Sequence, residues 1–292
     1  MRLALIFDKT RPDTTGGYFE RAARTWGISV DHWWLRDVSR IPAGYDLYLR
    51  IDHGDDYFVA FSDALRPSVF YAIDTHLPHS WRKIQQVVPR YNLVFCCHRD
   101  GAERIKGAVW LPVACDWELH GRREQPQVWD VAFVGTDGAV PRKFYLQALR
   151  ERYPDNFIGP ADHTQLPVIY GQARIGFNYS IADDVNMRVF EVLAAGTLLV
   201  TNALSHTDLR QLGLEDRRHL VLYRSPRELF EALDYYLAHA DERQRIAQAG
   251  MALVRERHTY AHRMQRLLAV VSQRLGITVP ELTRESLSCG SS

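Results

Sequence analysis

The densest run of chemically useful side chains lies between Ile175 and Asp208. Asn178, Tyr179, Asp183, Asp184, Asn186, Arg188 and Glu191 fall there between two apolar runs. The first run, 175–178, reads as a buried strand, and 179–185 as a polar loop. The stretch 186–195 reads as a helix with Val189, Val192 and Leu193 apolar, closed by Gly196 before the next strand. A helix that begins just beyond the carboxyl end of a strand presents free N–H groups and the positive end of its dipole. That environment suits a phosphate. Arg188, in the first turn, could add a charge-assisted contact. Glu191, one turn later, could accept hydrogen bonds from a ribose.

The first half offers fewer such residues. Thr14-Thr15-Gly16-Gly17 follows the first apolar run and precedes a helix over 18–26. A glycine pair there is either a tight strand-to-helix turn or a close approach to a ligand. Asp74-Thr75-His76 and His98-Arg99-Asp100 each end an apolar run and so lie at carboxyl edges of strands. Asp55-Asp56 and Asp183-Asp184 are acidic pairs without metal-ligand spacing, and no metal site is expected.

These residues must be positioned by alternating strands and helices. Apolar runs at 2–7, 30–34, 47–51, 69–73, 93–96, 109–112, 131–134, 156–158, 175–178, 198–201 and 220–222 read as strands. Several are continuous rather than alternating, as parallel strands covered on both faces are. The expected fold class is α/β, with two Rossmann-like doubly wound domains facing a cleft. Residues 116–129 are polar and aperiodic and read as a linker. The domains expected are therefore 1–120, 121–270 and a tail over 271–292, polar from Leu282. Ser225-Pro226-Arg227-Glu228 opens a late helix with a capping box, and 241–257 is another helix.

Composition limits the choices. Of 292 residues, 46% are hydrophobic and 24% charged, which excludes a disordered or fibrous chain. The formal charge of +1 provides no global field for nucleic acid. The N-terminal apolar run stops at Asp8, too short for a secretory core, and no stretch approaches a membrane span. Cys96, Cys97, Cys115 and Cys289 contain no C-x-x-C pair. A cytoplasmic location is the expectation.

The second half resembles group-1 glycosyltransferases of the GT-B fold, in the branch that includes spore-maturation-protein-type transferases. Arg188-Val189-Phe190-Glu191, Leu193-Ala194-Ala195-Gly196 and Leu199-Val200-Thr201 carry the likeness. Val134-Gly135-Thr136, Arg142-Lys143, Phe157-Ile158-Gly159-Pro160, Ala173-Arg174-Ile175 and His258-Thr259-Tyr260 extend it in order.

The resemblance implies a role for each matching residue. Glu191 would contact the nucleotide ribose. Asp183, an aspartate where the family usually has glutamate, would touch the donor sugar, with Asp184 as competitor. Gly135, Arg142 and Lys143 would lie by the diphosphate, and Gly159 by the base. Asn178, Tyr179 and Asn186 would line the donor loop, with Gly16 and Gly17 at the cleft. His76 would lie near the transferred sugar, with Asp74 as its partner.

The implied activity is transfer of a sugar from a nucleotide-diphosphate sugar (UDP, GDP or dTDP) to a glycan, protein or small-molecule acceptor. It would retain anomeric configuration and need neither metal nor bound cofactor. No nucleic-acid partner is expected; peripheral membrane contact stays open. Two other readings share the fold: a non-catalytic sugar- or nucleotide-binding protein, and a nucleotide-sugar epimerase.

Overall fold

The computed structural model describes residues 1–52, 61–138 and 140–280. Asp55-Asp56, Cys289 and the polar tail from Leu282 lie outside the described residues. The chain divides into two compact units. One comprises Met1–Pro112 with the segment from Tyr260 onward, the other Val113–Thr259.

In unit 1, β1 (Arg2–Ile6), β2 (Ser29–Trp33), β3 (Leu47–Ile51), β4 (Ser68–Ala72), β5 (Leu93–Cys96) and β6 (Val109–Trp110) form a parallel sheet. The strand order is β2-β1-β3-β4-β5-β6. Connecting helices are α1 (Thr15–Thr25), α2 (Pro78–Val87) and α3 (Arg99–Arg104). β3, β4 and β5 are buried at every position, Arg50 and Ser68 included, which is why they read as mainly apolar runs.

In unit 2, a short α4 (Trp117–His120) leads to β7 (Trp129–Val134), α5 (Arg142–Arg152), β8 (Asn156–Gly159), α6 (Leu166–Gly171) and β9 (Ala173–Asn178). Then follow α7 (Met187–Ala194), β10 (Leu198–Asn202), α8 (His206–Leu212), β11 (Val221–Tyr223), α9 (Pro226–Ala238) and α10 (Ala240–Arg257). The second sheet is also parallel, in the order β11-β10-β9-β7-β8. Phe133, Phe177, Val200 and Tyr223 from its strands share one core with Leu146 and Leu149 of α5 and Leu229 and Leu233 of α9.

Two boundaries differ from the sequence reading. The first unit closes at Pro112, and 116–129 is not a free linker. It contains α4, and the N–H groups of Val128 and Trp129 bind Gln172 O, so the segment is built into unit 2. The last helix, α11 (Tyr260–Leu275), belongs to unit 1, and 271–275 is helical rather than tail. Its apolar face buries Met264, Leu267, Leu268 and Val271. The Tyr260 ring meets Tyr18 and Phe19 of α1, Trp26 Nε1 donates to Ala261 O, and Arg263 Nε donates to Pro112 O at 2.7 Å. Chain order assigned this helix to the second half; its buried face assigns it to the first. The late cap also differs in detail: Ser225 accepts from Glu228 N as expected, but Glu228 Oε2 takes the N–H of Arg224 rather than of Ser225.

Candidate active site

In unit 2 the candidate residues gather where β7 and β9 end. Asn178 closes β9 fully buried, and its Nδ2 donates to Thr201 Oγ1 at the end of β10. Asn186 takes extended backbone angles at the N-terminus of α7, but its side chain caps nothing. Instead Asn186 Nδ2 reaches Asn178 Oδ1 at 3.5 Å, and Asn186 Oδ1 is buried with no hydrogen-bond partner. A buried amide oxygen without a donor is costly, and a ligand donor would relieve it.

Arg188 turns back from the first turn of α7 under the β7 end. Its Nε and Nη2 donate to Val134 O at 3.2 and 3.0 Å, and Nη1 to Asn178 Oδ1 at 3.1 Å. The guanidinium lies 4.3 Å from the Phe133 ring centroid. Gly135 makes room for it: its φ is +148°, and a Cβ there would lie 2.7 Å from Arg188 Nη2. Gly135 N–H binds Gly159 O at 2.9 Å, so the Gly135 and Gly159 turns are tied together.

Arg142, at the start of α5, faces the same Phe133 ring at 5.8 Å and donates from Nε to Asp137 O. Burial, and after it the Arg188 charge, lower the pKa of Arg142. The Asp137 carboxylate is turned toward Arg150, whose hydrogen bond lowers its pKa. Two guanidiniums thus share one aromatic ring while the local carboxylate is occupied elsewhere. That geometry favours a multiply charged anion. Lys143 is exposed beside them.

Glu191 is buried in the second turn of α7, with Oε1 3.9 Å from Nε2 of buried His120. Tyr179 stacks on Tyr145, with ring centroids 5.2 Å apart. Asp183 is exposed with φ +54°, and its carbonyl accepts Ser205 N–H. Asp184 accepts from Ser180 Oγ at 2.5 Å, and Asn202 clasps the Ser180 backbone from both sides. The loop between β9 and α7 is therefore anchored to β10. Asp183 is exposed on the loop, and Asp184 bonds Ser180 within it.

Unit 1 holds the remaining candidates. Thr14 caps α1 by accepting Gly17 N–H at 3.2 Å. A Cβ on Gly16 would lie 2.2 Å from Phe7 Cγ, so this glycine lets α1 approach the end of β1. Asp74 adopts φ +53°, and its backbone N–H reaches the Cys97 thiol. His76 Nδ1 lies 3.2 Å from His98 Nδ1, with ring centroids 4.0 Å apart, and His98 Nδ1 is 2.9 Å from Cys97 Sγ. The ring partner of His76 in unit 1 is therefore His98, not Asp74. The Asp74 backbone turns left-handed and supports the cluster through sulfur instead.

Sequence reasoning passed over His120, His98 as a partner, and Cys97 as more than a core residue; Tyr170 it read as part of the approach to the donor loop. Tyr170 OH accepts Val134 N–H at 3.1 Å and so orients the carbonyl-bearing turn that holds Arg188. The signal for His120 is its spacing from Asp116: residues four apart on one short helix can bond each other.

The profile of the glycosyl transferase-like family matches residues 118–269. The chain belongs to this family. The match runs from α4 into α11 and names no branch within the family. Among solved structures, HepE of Anabaena with UDP and glucose superposes on this glycosyltransferase with a TM-score of 0.68 at 13% identity, covering 94% of this chain and 100% of the other. An alpha-glucosyltransferase solved with UDP and a 13-mer DNA gives 0.70 at 10% identity, covering 93% and 100%. Sucrose-phosphate synthase from Thermosynechococcus elongatus gives 0.66 at 12%, covering 95% and 100%. The curated proteins give no match to the sequence. At these identities the likeness shows the fold, which is GT-B: two parallel α/β sheets of the expected class. No described helix is long and apolar enough to cross a membrane.

Proposed function

We propose that this glycosyltransferase takes a UDP-sugar as donor on unit 2 and an acceptor hydroxyl presented with the help of unit 1. The observation that carries the reading is the pair Arg142 and Arg188 over Phe133, beside a turn where Gly135 leaves no room for a side chain. A nucleotide diphosphate is the leaving group in such a transfer, and the bond from its β-phosphate oxygen to the anomeric carbon breaks as the acceptor oxygen bonds that carbon. Fixed cations at the departing phosphate stabilise that charge without reorganising. The buried, donorless Asn186 Oδ1 gives the bound donor a further hydrogen-bond acceptor. Glu191 takes the ribose hydroxyls, and His76 meets the transferred sugar. Uridine is favoured because HepE, the alpha-glucosyltransferase and the T4 phage BGT were solved with UDP or UDP-glucose.

The transfer proposed retains anomeric configuration. The acceptor attacks from the face the phosphate leaves, and its proton passes to that phosphate. No metal is used; the arginine pair takes the place a divalent cation would have. The acceptor proposed is a glycan, protein or small molecule rather than nucleic acid, in keeping with the near-neutral chain.

Melting the protein against UDP, GDP, dTDP and their sugars tests the donor. UDP should raise the melting temperature, and Glu191→Ala should reduce the rise. Release of UDP from UDP-sugar only when an acceptor is added supports transfer. Binding without release supports a non-catalytic module, and conversion of one UDP-sugar to another without acceptor supports an epimerase.

A further inference from the structure

We propose that His120 is a positioning residue for Glu191, and that its Nε2–H sets how strongly the site prefers a ribonucleotide over a deoxy analogue. The proposal rests on the donor reading above and adds a residue to it.

Asp116 caps the short helix α4: Oδ1 accepts the N–H groups of Glu118 at 3.1 Å and Leu119 at 3.3 Å. The N–H of Asp116 itself then points back into the turn and donates to His120 Nδ1 at 3.1 Å. A ring nitrogen that accepts a hydrogen bond carries no proton. The neutral ring must therefore hold its proton on Nε2.

The N–H-bearing Nε2 lies 3.9 Å from Glu191 Oε1. That places the imidazole dipole beside a carboxylate at a separation longer than a formed hydrogen bond. Both side chains are shielded from water: His120 is 1% exposed and Glu191 8%. In such surroundings a dipole acts on a charge with little screening. Glu191 reaches its position through a flexible stem. A donor on Oε1 selects one rotamer and turns Oε2 toward the ligand. Partners behind a first ligand commonly fix its orientation in this way.

The substrate feature sensed is a pair of ribose hydroxyls, so the readout is the affinity for UDP divided by that for 2′,3′-dideoxy-UDP, measured by calorimetry on the full chain. The wild type should prefer UDP by about tenfold, the value of one or two hydrogen bonds to a charged group. Glu191→Ala should erase the preference. His120→Asn keeps an acceptor near the Asp116 N–H but removes the donor to Glu191. It should cut the preference to within about twofold while leaving the dideoxy affinity unchanged. His120→Gln places an amide N–H close to the lost Nε2 and should restore most of the preference.

Loss of the preference in Glu191→Ala but its retention in His120→Asn overturns this inference and leaves the donor reading standing. Equal weakening of both nucleotides by His120→Asn also overturns it, because a merely structural role has that signature. Failure of the wild type to bind UDP overturns both. Should His120→Asn not fold, nitrogen-15 histidine spectra of the wild type decide. His120 should appear as the Nε2–H tautomer, with the Nε2 resonance moving on addition of UDP and staying put with dideoxy-UDP. An Nδ1–H tautomer, or the same movement with both nucleotides, overturns the inference.

Discussion

Each unit has its own parallel sheet with candidate residues at its carboxyl edge, yet the two sets are made of different materials. Unit 2 uses fixed charge: Arg142 and Arg188 on one ring, and Glu191 buried behind them. Unit 1 uses ring nitrogens: the imidazoles of His76 and His98, with the Cys97 thiol beside His98. Fixed charge suits a group that arrives and departs as an anion. An imidazole pair suits a sugar hydroxyl, to which a ring nitrogen can donate or from which it can accept. The same edge of the same kind of sheet is thus specialised by a handful of side chains, as function grafted onto a fold requires.

The largest effect expected is from Arg188→Ala. It removes a cation from the leaving group and opens the Val134–Asn178 junction together. We expect kcat/KM to fall by roughly two to three orders of magnitude. Arg188→Lys should recover little, because an ammonium lacks the planar fork that donates to Val134 O through two nitrogens and to Asn178 Oδ1 through the third. Steady-state rates with UDP-sugar measure both. A variant within tenfold of the wild type would remove the charge of unit 2 from the mechanism.

Two glycine substitutions separate packing from binding. Gly16→Ala forces a Cβ to within 2.2 Å of the Phe7 ring. It should cost about 1–3 kcal/mol of stability, as overpacking does. Its folded fraction should still bind UDP normally. Gly135→Ala meets both a strained φ of +148° and the Arg188 guanidinium. A similar loss of about 1–3 kcal/mol is expected from the backbone alone, accompanied here by weaker UDP binding. Urea melts paired with UDP titrations check this; equal UDP affinities in the two variants would deny that Gly135 belongs to the site.

Most of this architecture is legible in the sequence, for a simple reason. Strands that are buried on both faces are mainly apolar, and each of the eleven runs read as strands overlaps a strand. The Gly135 turn and the Arg188–Glu191 spacing are equally local. What escaped depends on distance in the chain. The seat of α11 is set by contacts such as Trp26 to Ala261, 235 residues apart. Amphipathicity says that a helix has a buried face but not what covers it. His76 and His98 follow neighbouring strands, and only the parallel register of β4 and β5 brings their rings together. His120 sits in a stretch without periodicity, where burial comes entirely from the surrounding unit.

A smaller effect tests the thiol in unit 1. Cys97→Ala removes the sulfur that joins the Asp74 N–H to His98. If His76 meets the sugar, its misplacement should lower kcat by roughly tenfold. UDP affinity, set in unit 2, should not change. Cys97→Ser keeps a donor and an acceptor and should fall between the two. A loss of UDP affinity in Cys97→Ala would break the division of labour between the units.

The smallest effect concerns alkaline stability, and its sign can be worked out. Burial, and next the neighbouring Cys97, push the Cys96 thiol up to about 12. An unfolded thiol ionises near 8.5. Between those values the folded chain holds a proton that the unfolded chain has lost, so stability falls as pH rises. The slope contributed approaches about 1.4 kcal/mol per pH unit in that window and vanishes below it. Cys96→Ala should be less stable at pH 8, having lost packing in the unit 1 core, but its stability should fall less steeply from pH 9 to 10.5. Hydrogen exchange of β4 and β5 peptides follows unit 1 specifically. Parallel slopes in wild type and variant would mean that the thiol stays protonated in neither state, and that the core around Cys96 opens to water before the unit unfolds.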